Sequence, residues 1–128
     1  MSRPRIRTLK PEMWQDERIG SLSRDARLLL VGLITMADDE GRLRAMPSLI
    51  CGHCFPYDQD APRKVAAWLE ELTNTGLLLA YEDGGVQYAA FRHWRRHQRV
   101  NRATASVLPA PDDACVVADN AVIEEAAA

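Results

Sequence analysis

The sequence predicts one small α+β domain, with a core of three helices closed by a two-stranded β-hairpin. A short N-terminal helix precedes this core and an acidic tail follows it. Three observations favour this class. Apolar residues recur at helical spacing in residues 26–37 and 65–72. Two β-prone runs flank the tight-turn sequence Asp83-Gly84-Gly85. The 128 residues, 47% of them hydrophobic, are enough to bury one core.

The first half of the chain is expected to be mainly helical. Pro11 suits the first turn of a short helix that runs through Trp14, because that turn needs no proline N–H. Ser23 is a suitable N-cap for the next helix, which Gly41 ends after the polar residues 38–40. Residues 41–45 alternate in polarity and are typical of a brief strand, after which Pro47 begins a second short helix.

The second half contains the third core helix and the hairpin. Asp60 is placed to cap this helix, and Gly76 stops it. Residues 77–82 and 86–91 are the predicted hairpin strands. Beyond Pro109 the composition changes to Ala, Asp, Val and Glu, which predicts a folded domain over residues 1–109 and a disordered acidic tail over residues 110–128.

This order of elements is that of the winged helix-turn-helix fold. In that fold the third helix commonly reads a DNA groove and the hairpin forms the wing. Some winged helices dock proteins instead, so the fold alone does not decide the function.

The charges are unevenly distributed. All 16 Lys and Arg lie at or before Arg102, and residues 1–109 carry 16 basic against 13 acidic residues, a net of +3. The five acids after Pro111 give the tail a charge of −5. A basic body with an acidic tail favours a polyanionic partner.

Cations concentrate in a basic arm (residues 1–11) and in a basic strip (residues 92–102) that contains no acidic residue. The planar guanidinium group of arginine can donate two hydrogen bonds to phosphate oxygens, and arginine-rich arms can enter the minor groove of DNA. The first turn of the third helix adds two more cations. The candidate DNA-binding residues are Arg3, Arg5, Arg7, Lys10, Arg63, Lys64, Arg92, Arg95, Arg96, Gln98, Arg99, Asn101 and Arg102. The alternative is a solvated charged surface, with Trp94 packed beneath the strip and the arm disordered.

A zinc site and an enzyme are the weaker alternatives. Cys51, Cys54, His93 and His97 form a Cys2His2 set, but 38 residues separate its halves, against roughly 12–15 in a zinc finger. We therefore expect two small buried thiols and no metal or cofactor. The acidic run at residues 38–40 has the right oxygens for a divalent ion, but consecutive carboxylates diverge, so a polar turn is favoured. No phosphate-binding loop or nucleophile elbow is present, and we expect no catalytic residue.

Five segments carry a resemblance to a known family: RIRTLKPEMWQDERIGSLSRDARLLLVGL, ADDEGRLR, FPYD, WLEELTNTGLLLAYE and RHWRRHQRVNRATASVLP. In this order, and over most of residues 5–109, the chain resembles phage and prophage winged-helix proteins related to replication initiators and replisome organisers. The resemblance implies a DNA-binding domain that acts in phage DNA metabolism. Longer members carry a further C-terminal domain, where this chain has its short acidic tail.

We therefore expect a sequence- or structure-selective DNA-binding protein of phage or prophage origin that acts in replication initiation or transcriptional control. Double-stranded DNA is the expected partner, with replication or transcription proteins and a second copy of the chain as further candidates. The alternative function is a protein-docking winged helix that recruits or inhibits a host or phage partner. An odd cysteine count, no signal peptide and no apolar run of about 18 residues indicate the cytoplasm of a bacterial host.

Overall fold

The structure, a computed structural model, describes residues 5–111. Arg3 and the predicted acidic tail beyond Pro111 therefore lie outside the described residues. In chain order the elements are a 3-10 helix (Pro11–Gln15), α1 (Glu17–Gly20), α2 (Arg24–Met36), β1 (Arg42–Arg44), α3 (Pro47–Cys54), α4 (Ala61–Asn74), β2 (Leu78–Asp83), β3 (Val86–Phe91) and α5 (Trp94–His97).

The predicted α+β class is confirmed, but the sheet has three strands rather than two. Its order is β1-β3-β2 and all pairs are antiparallel. The brief strand expected at residues 41–45 pairs with β3, with Leu43 opposite Ala89. The predicted hairpin turn is also present: Gly84 and Gly85 have φ of 58° and 78°, and two positive φ values in a two-residue loop suit the right-handed twist of the strands.

The two predicted helix caps differ in outcome. The Ser23 hydroxyl accepts a hydrogen bond from the Ala26 N–H at 3.2 Å, which confirms it as the N-cap of α2. Asp60 occupies the predicted N-cap position of α4, but its side chain makes no capping hydrogen bond. Asp60 already has helical backbone angles, unlike the extended Ser23, and its carboxylate instead binds the Lys64 ammonium at 3.1 Å.

The core lies between the inner face of the sheet and helices α2, α3 and α4. Its largest fully buried side chains are Leu29, Leu33, Ile50, Val65, Leu72 and Leu78. The apolar stripes predicted for α2 and α4 supply four of these, so helical periodicity identified the buried faces correctly. Within residues 5–111, every helix is too short or too polar to cross a bilayer.

The outer face of the sheet is covered by the segment that follows the basic strip. We call residues 103–111 the C-terminal strap. The Arg42 guanidinium donates a hydrogen bond to the Leu108 carbonyl at 3.1 Å, and the Tyr81 hydroxyl donates one to the Pro109 carbonyl at 2.8 Å. Burial under the strap raises the pKa of Tyr81 to about 12. The strap therefore belongs to the folded body.

Candidate nucleic-acid interface

The basic strip is fixed to the body by a buried tryptophan. His93, in the left-handed region at φ 57°, turns the chain from β3 into α5. Trp94 then packs against Phe91, with ring centroids 5.3 Å apart, and its indole N–H donates to the Asp39 carbonyl at 2.9 Å. Arg95 and Arg96, the next two residues, are exposed. The strip thus buries its tryptophan and exposes the arginines that follow it.

Asp39 joins the basic arm to the body. Its carboxylate lies 3.1 Å from both Arg5 and Arg7, and it accepts a hydrogen bond from the Thr104 N–H at 2.9 Å. The side chain is only 5% exposed. The Thr104 N–H first, and then the two guanidinium groups, lower the pKa of Asp39 despite its burial.

Two of the predicted DNA-binding residues are buried, which corrects the expectation for them. The side chain of Arg7 is 4% exposed; it donates to the Ala37 carbonyl and lies 5.1 Å from the centre of the Trp94 ring. Gln98 is 7% exposed, and its amide exchanges two hydrogen bonds with the backbone of Thr8, at 2.9 and 2.7 Å. Both side chains hold the arm against the strip and are not available to a phosphate.

Two other cations of the arm contact the backbone of the strip. The Lys10 ammonium donates to the Arg96 carbonyl at 2.8 Å, and the Arg5 guanidinium donates to the Asn101 carbonyl at 3.4 Å. We define the arm–strip surface by its exposed members: Arg5, Lys10, Arg95, Arg96, Arg99, Asn101 and Arg102. The side chain of Arg95 is 87% exposed and only 3.8 Å from its partner Glu40. Arg92 is half-buried at the edge of this surface.

Arg63 and Lys64 are not part of the arm–strip surface. They are exposed in the first turn of α4, whereas the strip contacts the chain just after the other end of that helix, where the Arg92 N–H donates to the Leu77 carbonyl at 3.3 Å. A helix of 14 residues is about 21 Å long, at about 1.5 Å per residue. The two predicted basic sites therefore lie at opposite ends of α4.

The groove between α4 and the hairpin has the opposite character. We call it the α4–hairpin groove; it has a volume of about 290 Å³. Among the described residues its lining includes Glu70 from α4 and Glu82 from β2 but no Lys or Arg. This face of α4 therefore repels a phosphate backbone.

A second groove lies beside the arm–strip surface. This arm groove, of about 710 Å³, is formed by the arm, the 3-10 helix, α2, the base of the hairpin and the strip. Leu30, Ile34, Leu77 and Phe91 are among its apolar lining residues. Desolvation lowers the pKa of His97 at its rim, and the nearby charges of Lys10, His93, Arg96 and Arg18 lower it further. The groove lining contains the cations Lys10, Arg18 and Arg92 together with the acids Glu12 and Asp16.

The metal-ligand sets considered from the sequence do not assemble. Within residues 5–111, no three His, Cys, Asp or Glu side chains gather as a metal site would require. Cys54 packs against Gly32 of α2, and burial raises its pKa to about 11. Asp38 accepts hydrogen bonds from the Glu40 and Arg42 N–H groups and from the Ser106 hydroxyl. The acidic run thus binds protein groups from the arm and the strap.

The attachment of the arm to Asp39 was not identified from the sequence. The available signal was charge complementarity, because three consecutive acids precede Gly41 in a chain whose arm and strip are basic. Comparison with protein-family models, curated proteins and solved structures gives no match, so the candidate interface is defined by its geometry alone.

Proposed function

We propose that this chain is a winged-helix protein that binds duplex DNA through the arm–strip surface. One observation carries the proposal: the arm cations Arg5 and Lys10 bind backbone carbonyls of an acid-free strip whose arginines are mostly exposed. Duplex DNA presents one negative charge per about 1.7 Å of axis, so several cations on a common surface give affinity for it.

The order and pairing of the elements support the winged-helix assignment. Helices α2, α3 and α4 correspond to the three core helices, β1 is the short strand after the first, and β2 and β3 are the wing. In that fold α4 is the reading helix. The resemblance to phage replication proteins extends the proposal to phage or prophage DNA metabolism, in replication initiation or transcriptional control.

Phosphate contacts dominate this mode of binding. Arg96, Arg99 and Arg102 are exposed and suit phosphate oxygens, whereas the α4–hairpin groove is lined by Glu70 and Glu82 and disfavours a phosphate backbone. Arg63 and Lys64 at the far end of α4 form a separate candidate contact about 20 Å away, where base edges or a second stretch of backbone are reached. Binding by the arm–strip surface is therefore mainly independent of base sequence.

Neutralising the strip tests the proposal. The double variant Arg96→Gln/Arg99→Gln is expected to weaken binding to a random duplex and to flatten the slope of log K against log salt by about 1.8, at about 0.9 per lost phosphate contact. Fluorescence anisotropy at several salt concentrations measures both effects. The matched control, Arg24→Gln/Arg44→Gln, removes two exposed arginines outside the surface. Equal effects from the two double variants would contradict the proposal.

The α4–hairpin groove favours protein docking as a second candidate function. Its two glutamates line the groove together with apolar residues such as Leu69, and Met46, between the lining residues Ala45 and Pro47, is 40% exposed. A partner with basic and apolar side chains fits this groove. Reversing the charge with Glu70→Lys/Glu82→Lys should abolish binding of an arginine- and leucine-rich peptide without weakening DNA binding. Peptide binding that survives the reversal would exclude the groove as the docking site.

A further inference from the structure

The arm groove has an apolar floor and a basic rim. Duplex DNA bound on the arm–strip surface would not fill this groove or contact its floor. We propose that the arm groove binds an unpaired nucleotide of a single-stranded DNA segment, with its base on the apolar floor and its phosphates at the rim. This inference rests on the proposed function, because it places the single strand next to a duplex on the arm–strip surface.

The size and the floor of the groove fit a nucleotide. Its volume of about 710 Å³ lies within the range of roughly 300–1,000 Å³ typical of small-molecule sites. Leu30 and Ile34 of α2, with Leu77 and Phe91 from the hairpin base, provide an apolar floor. A base in a duplex is stacked and its face is inaccessible, whereas an unpaired base offers that face to apolar and aromatic side chains.

The rim supplies the charge that a phosphate requires. Lys10, Arg18, His93 and His97 line the groove, and Arg96 is close enough to His97 to affect its titration. The lining also contains Glu12 and Asp16. Asp16 is paired with Arg18, whose Nη2 lies 3.1 Å from the carboxylate. With that pair set aside, Lys10 and Arg92 in the lining and Arg96 beside His97 outnumber Glu12.

Continuity with the arm–strip surface favours a DNA strand over an acidic peptide. Lys10 lines the groove and also donates to the carbonyl of Arg96 on that surface. A strand that leaves the groove there meets Arg96 and then Arg99, and it carries one phosphate per nucleotide to match them. An acidic peptide offers no such regular charge.

The first experiment compares a blunt duplex with the same duplex carrying a short single-stranded thymidine extension. With the full-length chain we expect the extension to tighten binding about tenfold, consistent with stacking of one base. Two variants should reduce this gain: His97→Glu, which places a negative charge at the rim, and Leu9→Ser, which removes an exposed apolar side chain from the lining. His53→Glu and Leu28→Ser make the same changes at exposed positions outside the groove and should retain the gain.

The two proposals fail in different ways. If the protein binds the blunt duplex and the extension adds no affinity, the arm groove inference is wrong and the proposed function stands. If it binds neither DNA, both are wrong. If the control variants lose the gain as fully as the groove variants, the single strand binds elsewhere and the inference is again wrong.

A second measurement does not depend on affinity differences between variants. Addition of oligothymidylate should raise the pKa of His97, measured by NMR titration, because a nearby phosphate stabilises the imidazolium. An unchanged pKa overturns the inference. Thymidine monophosphate and an acidic peptide are the competing ligands: a comparable rise with either one at equal concentration would make the occupant a free nucleotide or a peptide rather than a DNA strand.

Discussion

At the scale of single residues, the positions that matter most surround the Trp94 ring. The Arg7 guanidinium lies over the ring, the Asp39 carbonyl accepts a hydrogen bond from the indole N–H, and Gly41 lies against the ring. A Cβ on Gly41 would lie 2.7 Å from Cγ of Trp94, and the backbone there has φ 81°. Glycine is therefore required at position 41 for two independent reasons, one steric and one conformational.

Gly41→Ala should consequently destabilise the protein strongly. The left-handed backbone and the contact with the indole together are expected to cost about 2–4 kcal/mol of unfolding free energy, measured by urea denaturation. The control is Gly52→Ala in α3, where a Cβ would meet nothing within 4 Å. That variant should be unchanged or more stable by up to about 1 kcal/mol. Equal stability of the two variants would show that the close packing of Gly41 on Trp94 is wrong.

Asp39 gives the fold a defined pH dependence. Its folded pKa is lowered by the Thr104 N–H and by Arg7 and Arg5, so its stabilising contribution is complete above its unfolded pKa, and is lost as the pH falls through the lower folded pKa. Asp39→Asn should be less stable than the parent at pH 7, and the difference should shrink between about pH 5 and pH 2. Asp60→Asn, which removes an exposed carboxylate paired with Lys64, should change little at either pH. A constant difference for Asp39→Asn across this range would contradict the assignment.

At the scale of elements, local sequence patterns predicted the helices and the hairpin, but not the long-range contacts between elements. The spacing of apolar residues defined α2 and α4, and Asp83-Gly84-Gly85 defined the turn. The pairing of β1 with β3 is a long-range contact that a three-residue strand does not encode locally. The C-terminal strap could not be predicted from local sequence either, because it is held by Arg42 and Tyr81, which are far away in sequence.

Ser106 is the main side chain that ties the strap to the acidic run. Its hydroxyl donates to the Asp38 carboxylate and its N–H donates to Glu40. Ser106→Ala should lower the unfolding free energy by about 1–2 kcal/mol, because a hydrogen bond to a charged group is lost. Hydrogen exchange should also accelerate at the Thr104 and Leu108 amides. The exposed Ser48 in α3 provides the control Ser48→Ala, and unaltered exchange in Ser106→Ala would mean that the strap is held by other contacts.

At the scale of the whole molecule, the sequence located the cations correctly, but could not divide them into buried and exposed sets. Arg7 and Arg99 look alike in the sequence, yet the first is 4% exposed and the second lies on the arm–strip surface. The difference arises from tertiary contacts with Asp39 and Trp94, which composition and spacing do not reveal. The same contacts bring the arm and the strip together. The sequence showed that both segments are basic, but it did not predict that they touch.

This division makes Arg7 and Arg99 a diagnostic pair. Arg7→Gln should lower the unfolding free energy by about 3 kcal/mol, because a buried ion pair loses one partner, while the salt slope of DNA binding by the folded protein stays the same. Arg99→Gln should leave stability within about 0.5 kcal/mol and reduce the salt slope by about 0.9. Denaturation and salt-dependent anisotropy on the same preparations measure both quantities. If Arg7→Gln changed the salt slope and Arg99→Gln lowered the stability, the roles assigned to the two residues would be wrong.

The docking of Lys10 and Arg5 onto strip carbonyls has a consequence for association. A tethered arm that had to become ordered on contact would lose conformational entropy in every binding event, and its association would show the large negative heat-capacity change of coupled folding. Within the described part of the arm, Arg5 and Lys10 already bind carbonyls of the strip in the free chain. If the arm–strip surface binds DNA as proposed, residues 5–10 need no further ordering, and calorimetry should record only the modest heat-capacity change of joining two preformed surfaces.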